Sequence, residues 1–247
     1  MFRHLPNLFT CLNLLCGCLA IVFVFKGEIA LFSACIAGSL FFDFLDGLAA
    51  RALNAGSLLG KELDSLADMV SFGLVPGAIM YHLFLISVPV SLNADAQWVR
   101  MVSFLPFIIT VFSALRLAKF NIDTRQTDSF LGLPTPAATI FVTGIALVIE
   151  YDRFHLTPTL LNSYLIGGLA LVISYMLVSE VPLFALKFKS FGWRNNRMQY
   201  ILLGTGAVLT WFLHAAAIPL TVILYVILSF INHNFLQGRT IAPSQPS

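Results

Sequence analysis

The chain has 247 residues, of which 58% are hydrophobic and only 11% charged, against roughly 25% charged in an average soluble domain. Such a composition excludes a soluble enzyme, a disordered protein and a nucleic-acid binder. A mean hydropathy of +0.88 and 23 Phe residues specify an integral membrane protein instead. The net charge of +2 says nothing about an anionic partner until the charges are placed.

A helix crossing the ~30 Å hydrocarbon core uses about 20 residues, so the length allows about six to eight crossings and no sizeable extramembrane domain. Eight apolar segments follow in chain order: 8–25, 29–53, 58–86, 99–120, 137–151, 160–186, 200–216 and 219–235. Their unbroken runs lack the period-two alternation of barrel strands and predict helices. Turn residues mark the connections at Lys26-Gly27-Glu28, Asn54-Ala55-Gly56-Ser57, Asn93-Ala94-Asp95 and from Phe191 to Asn196. The expected fold class is therefore all-α, a polytopic transmembrane helical bundle of about eight spans forming a single integral membrane domain over 1–247.

Orientation follows from the basic residues. With the N-terminus cytoplasmic, that side carries Arg3, Arg51, Lys61, Arg116, Lys119, Arg125, Lys187, Lys189, Arg194, Arg197 and Arg239, and the other side only Lys26, Arg100 and Arg153. Eleven against three accounts for all 14 basic residues and places both termini in the cytoplasm. A secretory signal around Leu15-Cys16-Gly17-Cys18 is rejected, because the apolar run continues to Phe25. The four cysteines, Cys11, Cys16, Cys18 and Cys35, lie inside apolar segments without C-x-x-C spacing and suggest neither a disulfide nor a zinc site. The absence of a transit peptide and the compact size suggest a prokaryotic plasma membrane.

The chemistry is concentrated between Phe41 and Gly73. Asp43, Asp46, Asp64 and Asp68 lie there within apolar helical segments, where each carboxylate costs ~2.5 to 3.5 kcal/mol even on the lenient insertion scale. Asp43, Asp46, Gly47 and Ala50 fall on one helix face, and Gly60, Asp64 and Asp68 on a face of the next. The two helices run antiparallel from a turn near residues 54–57, so Asp46 matches Asp64 in depth and Asp43 matches Asp68. Four carboxylates are thus expected to converge near the cytoplasmic end of one hairpin. Ionised together they would repel, so either some are protonated or cations neutralise them. Oxygen ligands without His or Cys favour Mg²⁺, Mn²⁺ or Ca²⁺. Two such ions would cancel the charge, and a two-metal carboxylate site is the usual device for phosphoryl-group chemistry. The small residues Gly47, Ala50 and Gly60 leave room beside the metals. Tight helix packing would also explain small residues, but packing does not require four acids. A divalent-cation transporter would need acids spread along a pathway, often in internal repeats; here they cluster at one end and no repeat is found.

The spacing D-x2-D-G-x2-A-R-x8-G-x3-D-x3-D is met by Asp43, Asp46, Gly47, Ala50, Arg51, Gly60, Asp64 and Asp68. In this the chain resembles the CDP-alcohol phosphotransferases, and coincidence at one starting point is on the order of 10⁻¹⁰ at ordinary residue usage. The resemblance implies an enzyme that moves the phosphatidyl group of CDP-diacylglycerol onto a small alcohol and releases CMP. It implies that Asp43, Asp46 and Asp64 hold two metal ions with help from Asp68, and that Asp68 is the general base. By the same resemblance Gly47, Ala50 and Gly60 lie against the cytidine or pyrophosphate, and Arg51 supports the nucleotide end. The family core has six transmembrane helices and is commonly a homodimer. Residues 1–190 are then the catalytic core, and two additional helices over 198–236 carry no assignable role.

Two further stretches, PNLFTCLNLLCG from Pro6 and SALRLAKFN from Ser113 with the following FLGLPTPAA from Phe130, are similar to the L-serine-using branch of that family. The branch's typical second Arg is Lys119 here, so a bidentate fork becomes a point charge. Arg116, Lys119 and Asn121, with Asp123 beyond them, could meet the carboxylate and ammonium of serine. A phosphate-bearing acceptor would prefer a denser arginine cluster, although Arg116, Lys119 and Arg125 keep glycerol 3-phosphate as an alternative, with inositol as another alcohol of the same chemistry. The expected mechanism is in-line attack with Asp68 taking the hydroxyl proton. For a covalent intermediate only Ser65 and Ser71 lie nearby, and helix serines are usually back-bonded. Glu180 is expected to pair with a basic residue of the next loop, His214 to be interfacial, and Pro76 to kink the third helix. Gly132, Pro134 and Pro136 form a rigid helix entry. Asn13 either bonds across helices or touches the acceptor.

Overall fold

The computed structural model describes residues 4–88, 101–122, 129–184, 192 and 196–232. Eight principal helices stand where the eight apolar segments lie. They are α1 (Leu5–Lys26), α2 (Ile29–Ala52), α3 (Leu58–Ser87), α4 (Met101–Ile122), α5 (Thr135–Tyr151), α6 (Ser163–Val178), α7 (Arg197–Leu213) and α8 (Ala217–Ile231). The first four, and the 35-residue stretch that contains α7 and α8, are long and apolar enough to cross a membrane, whereas α5 and α6 are shorter apolar helices. The chain is an all-α polytopic integral membrane protein. Asp123, Arg125, Lys187, Lys189, Arg194, Arg239, Arg3, Arg100 and the 93–95 turn lie outside the described residues.

Local chemistry sets the boundaries. Pro6 occupies the first turn of α1, where a missing N–H costs nothing, and Gly27 closes that helix in the left-handed region at φ 72°. Ser57 caps α3 by accepting the Gly60 N–H at 3.0 Å. Pro134 and Pro136 open α5 as expected. The core draws Phe32 and Ile36 from α2, Val75 and Met80 from α3, Ile109 from α4, Val142 from α5, Ile173 from α6 and Tyr225 from α8. Of the long helices α3 is the most buried, which puts the helix bearing two of the acids in the middle of the bundle.

Ahead of Pro76, where the sequence predicts a kink, α3 carries a π-helical turn over Met69–Leu74. Proline cannot donate to the carbonyl four residues back, and that carbonyl, Phe72 O, shares the Thr139 hydroxyl of α5, at 3.2 Å, with Thr135 O, at 3.0 Å. Gly73 O accepts from Thr110 Oγ1 of α4 at 3.1 Å. Neighbouring threonines thus satisfy backbone groups released by the widened turn, as a dry environment requires.

The sixth segment, expected to run unbroken over 160–186, ends as a helix at Val178. Ser179 is extended at ψ 153°, and Pro182–Phe184 forms a strand, β2, antiparallel to β1 (Ser129–Leu131) with Leu131 opposite Pro182. Proline removes a helical donor and pushes the preceding residue into extended geometry. This ribbon is the one sheet among the described residues.

Candidate active site

The helices bearing the acids do not pack chiefly on each other. Helix α1 is the main neighbour of both α2 and α3, leaving a space between these two that is floored by α1. Thr10, Asn13 and Gly17 fall on one face of α1 and are buried. A Cβ at Gly17 would stand 2.9 Å from Ser71 Cα, so only glycine lets α1 lie this close to α3.

The four carboxylates converge on that space. One oxygen from each of Asp43, Asp64 and Asp68 lies within 4.8 Å of the other two. At that separation two unit charges repel by about 3 kcal/mol at an effective dielectric of about 20, so the trio demands a cation or protons. Asp46 stands beside the trio, near enough to interact electrostatically with all three. Its Oδ2 accepts from Thr10 Oγ1 at 2.8 Å. The donor set fits a hard divalent cation: carboxylate oxygens alone, converging, with Asp64 Oδ1 buried and lacking any hydrogen-bond partner. An orphaned buried oxygen is costly unless a ligand completes it.

A cavity of about 230 Å³ opens next to the acids, walled by Asp46, Gly47 and Ala50 of α2, Gly60 and Asp64 of α3, and Asn7 and Thr10 of α1. The small residues of the sequence pattern therefore line free space. Gly60 has a second reason to be small, because a Cβ there would approach Asn7 Oδ1 and Ser57 Oγ to 3.1 Å. Arg51 is exposed and outside the cavity wall. Its guanidinium folds back to 3.7 Å from where a Gly47 Cβ would stand.

The basic residues of α4 separate into different environments. Arg116 is buried, donates from Nη1 to Thr135 Oγ1 of α5 at 3.3 Å and lies 5.8 Å from the Phe120 ring centroid. Its Nε is buried without a partner, and its charge is within electrostatic reach of Asp68. Lys119 instead pairs with Glu180 at 3.6 Å. The loop residues Lys187, Lys189 and Arg194, expected to pair with Glu180, lie outside the described residues. Asn121 is tied to α3, donating to Ser65 Oγ at 2.8 Å and accepting at its carbonyl from Lys61 Nζ at 3.3 Å.

Four polar residues that sequence reasoning left unassigned or missed complete the arrangement. Asn13 donates to Asp68 Oδ1 at 3.3 Å, and its side-chain oxygen accepts from Ser39 Oγ. The backbone carbonyl of Asn13 accepts from Ser39 Oγ at 3.0 Å and from Ser71 Oγ at 3.1 Å. Ser71 is thus bonded across helices rather than back-bonded, whereas Ser65 does bond Lys61 O at 3.2 Å. Thr10 and Asn13 share a helix face with a buried Gly, a pattern legible as helix packing but not as support for carboxylates.

A family model described as CDP-alcohol phosphatidyltransferase matches residues 3–235, through both α7 and α8. A CDP-diacylglycerol–serine O-phosphatidyltransferase of Bacillus subtilis (strain 168) is 36% identical over 179 residues, 72% of this chain and 89% of that protein. Its namesake in Helicobacter pylori (strain J99 / ATCC 700824) is 30% identical over 240 residues, covering 96% and 93%. A third, in Methanocaldococcus jannaschii, is 33% identical over 173 residues, covering 70% and 69%.

Proposed function

The chain belongs to the CDP-alcohol phosphatidyltransferase family, and on that premise we propose that it transfers the phosphatidyl group of CDP-diacylglycerol to the hydroxyl of L-serine, giving phosphatidylserine and CMP. The observation that carries this reading is the convergence of Asp43, Asp64 and Asp68, within 4.8 Å, beside a cavity walled by Gly47, Ala50 and Gly60. Three relatives named for the serine reaction support the acceptor.

In this reading Asp43, Asp46, Asp64 and Asp68 hold two Mg²⁺ or Mn²⁺ ions, with Ca²⁺ as a possible occupant. Bound there, the metals would neutralise the pyrophosphate and favour departure of CMP. The cavity receives the nucleotide end, where Gly47, Ala50 and Gly60 admit it and Arg51, at the mouth, meets its charge. Asp68 accepts the proton of the attacking hydroxyl, held for the task by the Asn13 amide at 3.3 Å. Attack is direct and in line: the new P–O bond forms as the bond to CMP breaks. Ser65 and Ser71, the nearby hydroxyls, are engaged with Lys61 O and Asn13 O, which argues against a covalent phosphatidyl-enzyme.

Arg116 takes the serine carboxylate. A guanidinium with an unpartnered Nε offers the planar pair of donors a carboxylate fits, and its electrostatic link to Asp68 suits an acceptor with a carboxylate at one end and a hydroxyl at the other. Lys119 and Asn121, already bonded to Glu180 and Ser65, serve at most as outer contacts. A single buried cation favours serine over glycerol 3-phosphate or inositol. We read residues 1–190 as the catalytic core and 198–236 as additional helices. The excess of basic residues on one side supports a cytoplasmic site and cytoplasmic termini, and the prokaryotic relatives support a prokaryotic plasma membrane. The family resemblance alone supports a homodimer.

The test is CMP release by purified protein in detergent, with CDP-diacylglycerol and Mg²⁺ or Mn²⁺ and, separately, L-serine, glycerol 3-phosphate or myo-inositol. Stimulation by serine alone is expected. Stimulation by another alcohol would keep the metal site and overturn the acceptor; silence with every alcohol, with metal present, would reopen the divalent-cation transporter.

A further inference from the structure

Neither the sequence pattern nor the reaction gives α8 a task, yet it contributes one buried polar aromatic residue to the interior. Tyr225 is 5% exposed and belongs to the central core. Its hydroxyl donates to Phe184 O at 3.0 Å, and its ring meets the Phe184 ring edge-on at 5.1 Å between centroids. Phe184 is the last residue of β2, which pairs with β1. Past β1, the Gly132 N–H donates to Val181 O at 3.0 Å and the Leu133 N–H to Met176 O at 2.8 Å. Two residues later Thr135 accepts the Arg116 guanidinium at 3.3 Å. Every link is buried or backbone-bonded, so a displacement of β2 has no soft joint in which to be absorbed before it reaches Thr135. The Tyr225 hydroxyl and the Arg116 guanidinium also lie within electrostatic reach of each other.

We propose that Tyr225 is a positioning residue for the acceptor side of the reaction: it pins β2, and through the β1–β2 ribbon it holds Thr135 where that residue fixes the Arg116 guanidinium. The inference rests on the reading above in which Arg116 receives the acceptor's carboxylate. It gives α8 a function, which is to brace the acceptor pocket. Nucleotide and metal binding are left to α1, α2 and α3, whereas α8 packs chiefly on α5, α7 and β2.

Tyr225→Phe keeps the ring, its burial and its contact with Phe184 while deleting the single hydroxyl. Loss of one buried hydrogen bond that orients a ligand-holding arginine raises the KM for the acceptor about fivefold to tenfold. The KM for CDP-diacylglycerol and kcat at saturating acceptor stay within about twofold, the pattern of lost ground-state binding. Ser229→Ala, one turn further along α8 where Ser229 Oγ merely bonds back to Tyr225 O at 2.8 Å, leaves the acceptor KM unchanged. In an Arg116→Lys background, Tyr225→Phe adds less than about twofold, because the group it positions is already altered. The acceptor used is whichever alcohol drives CMP release by the unsubstituted protein, so a wrong acceptor assignment does not disturb the comparison. An unchanged acceptor KM in Tyr225→Phe overturns the proposal. So does a fall in kcat alone with both KM values unchanged, which is the mark of a smaller folded fraction, and so does an equal rise in Ser229→Ala. Silence of the unsubstituted protein with every alcohol would remove the proposed function and this inference together.

Discussion

The side-chain amide of Asn13, on α1, donates to Asp68 Oδ1, on α3, at 3.3 Å, while the oxygen of the same amide accepts from Ser39 Oγ on α2. One fully buried side chain is thereby tied to both acid-bearing helices, which have α1 rather than each other as their main neighbour. The amide orientation is fixed by this pair of bonds, since its donor meets a carboxylate and its acceptor meets a hydroxyl.

Asn13→Ala should therefore lower turnover without unfolding the bundle. The bonds from Ser39 and Ser71 to the Asn13 backbone carbonyl survive the substitution; only the amide contact to Asp68 and the Ser39 contact to the amide oxygen are lost. Removing a group that orients a ligand or a base typically costs about 10- to 100-fold in metal affinity or activity. CMP release measured against metal concentration checks this, with thermal melting in detergent as the control. Unchanged turnover would remove Asn13 from the machinery.

Asp64 and Asp68 should respond differently to neutralisation. Asp64 carries the orphaned buried oxygen, so Asp64→Asn is expected to weaken metal activation and CDP-diacylglycerol binding together. Asp68→Asn keeps a side chain of the same shape beside Asn13 but removes the proton acceptor. Its turnover should fall by at least about 100-fold while CDP-diacylglycerol binding persists. Isothermal titration with the nucleotide lipid, alongside CMP release across a metal series, separates the two. An unaltered metal titration in Asp64→Asn, or near-normal turnover in Asp68→Asn, would refute the respective role. EDTA should abolish turnover in the unsubstituted protein, and Mg²⁺ or Mn²⁺ should restore it.

Much of this was legible in the sequence, because membrane helices are written in long apolar runs and intramembrane acids stand out against them. Eight segments predicted eight helices, and the spacing of Asp43, Asp64 and Asp68 predicted that they would meet. What escaped was tertiary. That Asp46 would turn to Thr10, outside the tight trio, depends on α1 lying between two helices that are consecutive in the chain. The partnership of Lys119 with Glu180 depends on the chain leaving helical geometry at Ser179. The signal is present, since Val181 precedes Pro182, but five apolar residues around it, from Val181 to Leu186, read as a continuing membrane helix. Tyr225 reads in sequence as one aromatic residue among many on a membrane helix.

The π-helical turn of α3 gives a test of the fold. Thr139 Oγ1 serves Phe72 O, the carbonyl that Pro76 leaves without its helical donor. Thr139→Val preserves shape and removes the donor. Hydrogen bonds of this kind inside membranes contribute about 0.6 kcal/mol on average and at most about 1.7, so melting in detergent should fall by a few degrees, with Thr139→Ser restoring it. An unchanged melting temperature in Thr139→Val would show that Phe72 O finds another partner.

Gly132 is the most constrained position on the path to Arg116. Its φ is +77°, and a Cβ there would stand 2.6 Å from Leu177 O, 2.8 Å from Ser179 O and 3.0 Å from Met176 O. All three obstacles are backbone oxygens at the end of α6, so no side chain can swing aside to relieve the contact. Left-handed geometry disfavours any L side chain as well. Gly132→Ala should cost more than about 1 kcal/mol, the usual scale of a tolerated glycine replacement, and lower the yield of folded protein. In the fraction that folds, β1 must shift away from α6 and carry Thr135 with it, so the acceptor KM should rise while the KM for CDP-diacylglycerol holds. Gel filtration and melting measure the first effect, and CMP release at varied serine the second. Normal melting together with a normal acceptor KM would mean that the ribbon does not hold the Arg116 end of the pocket.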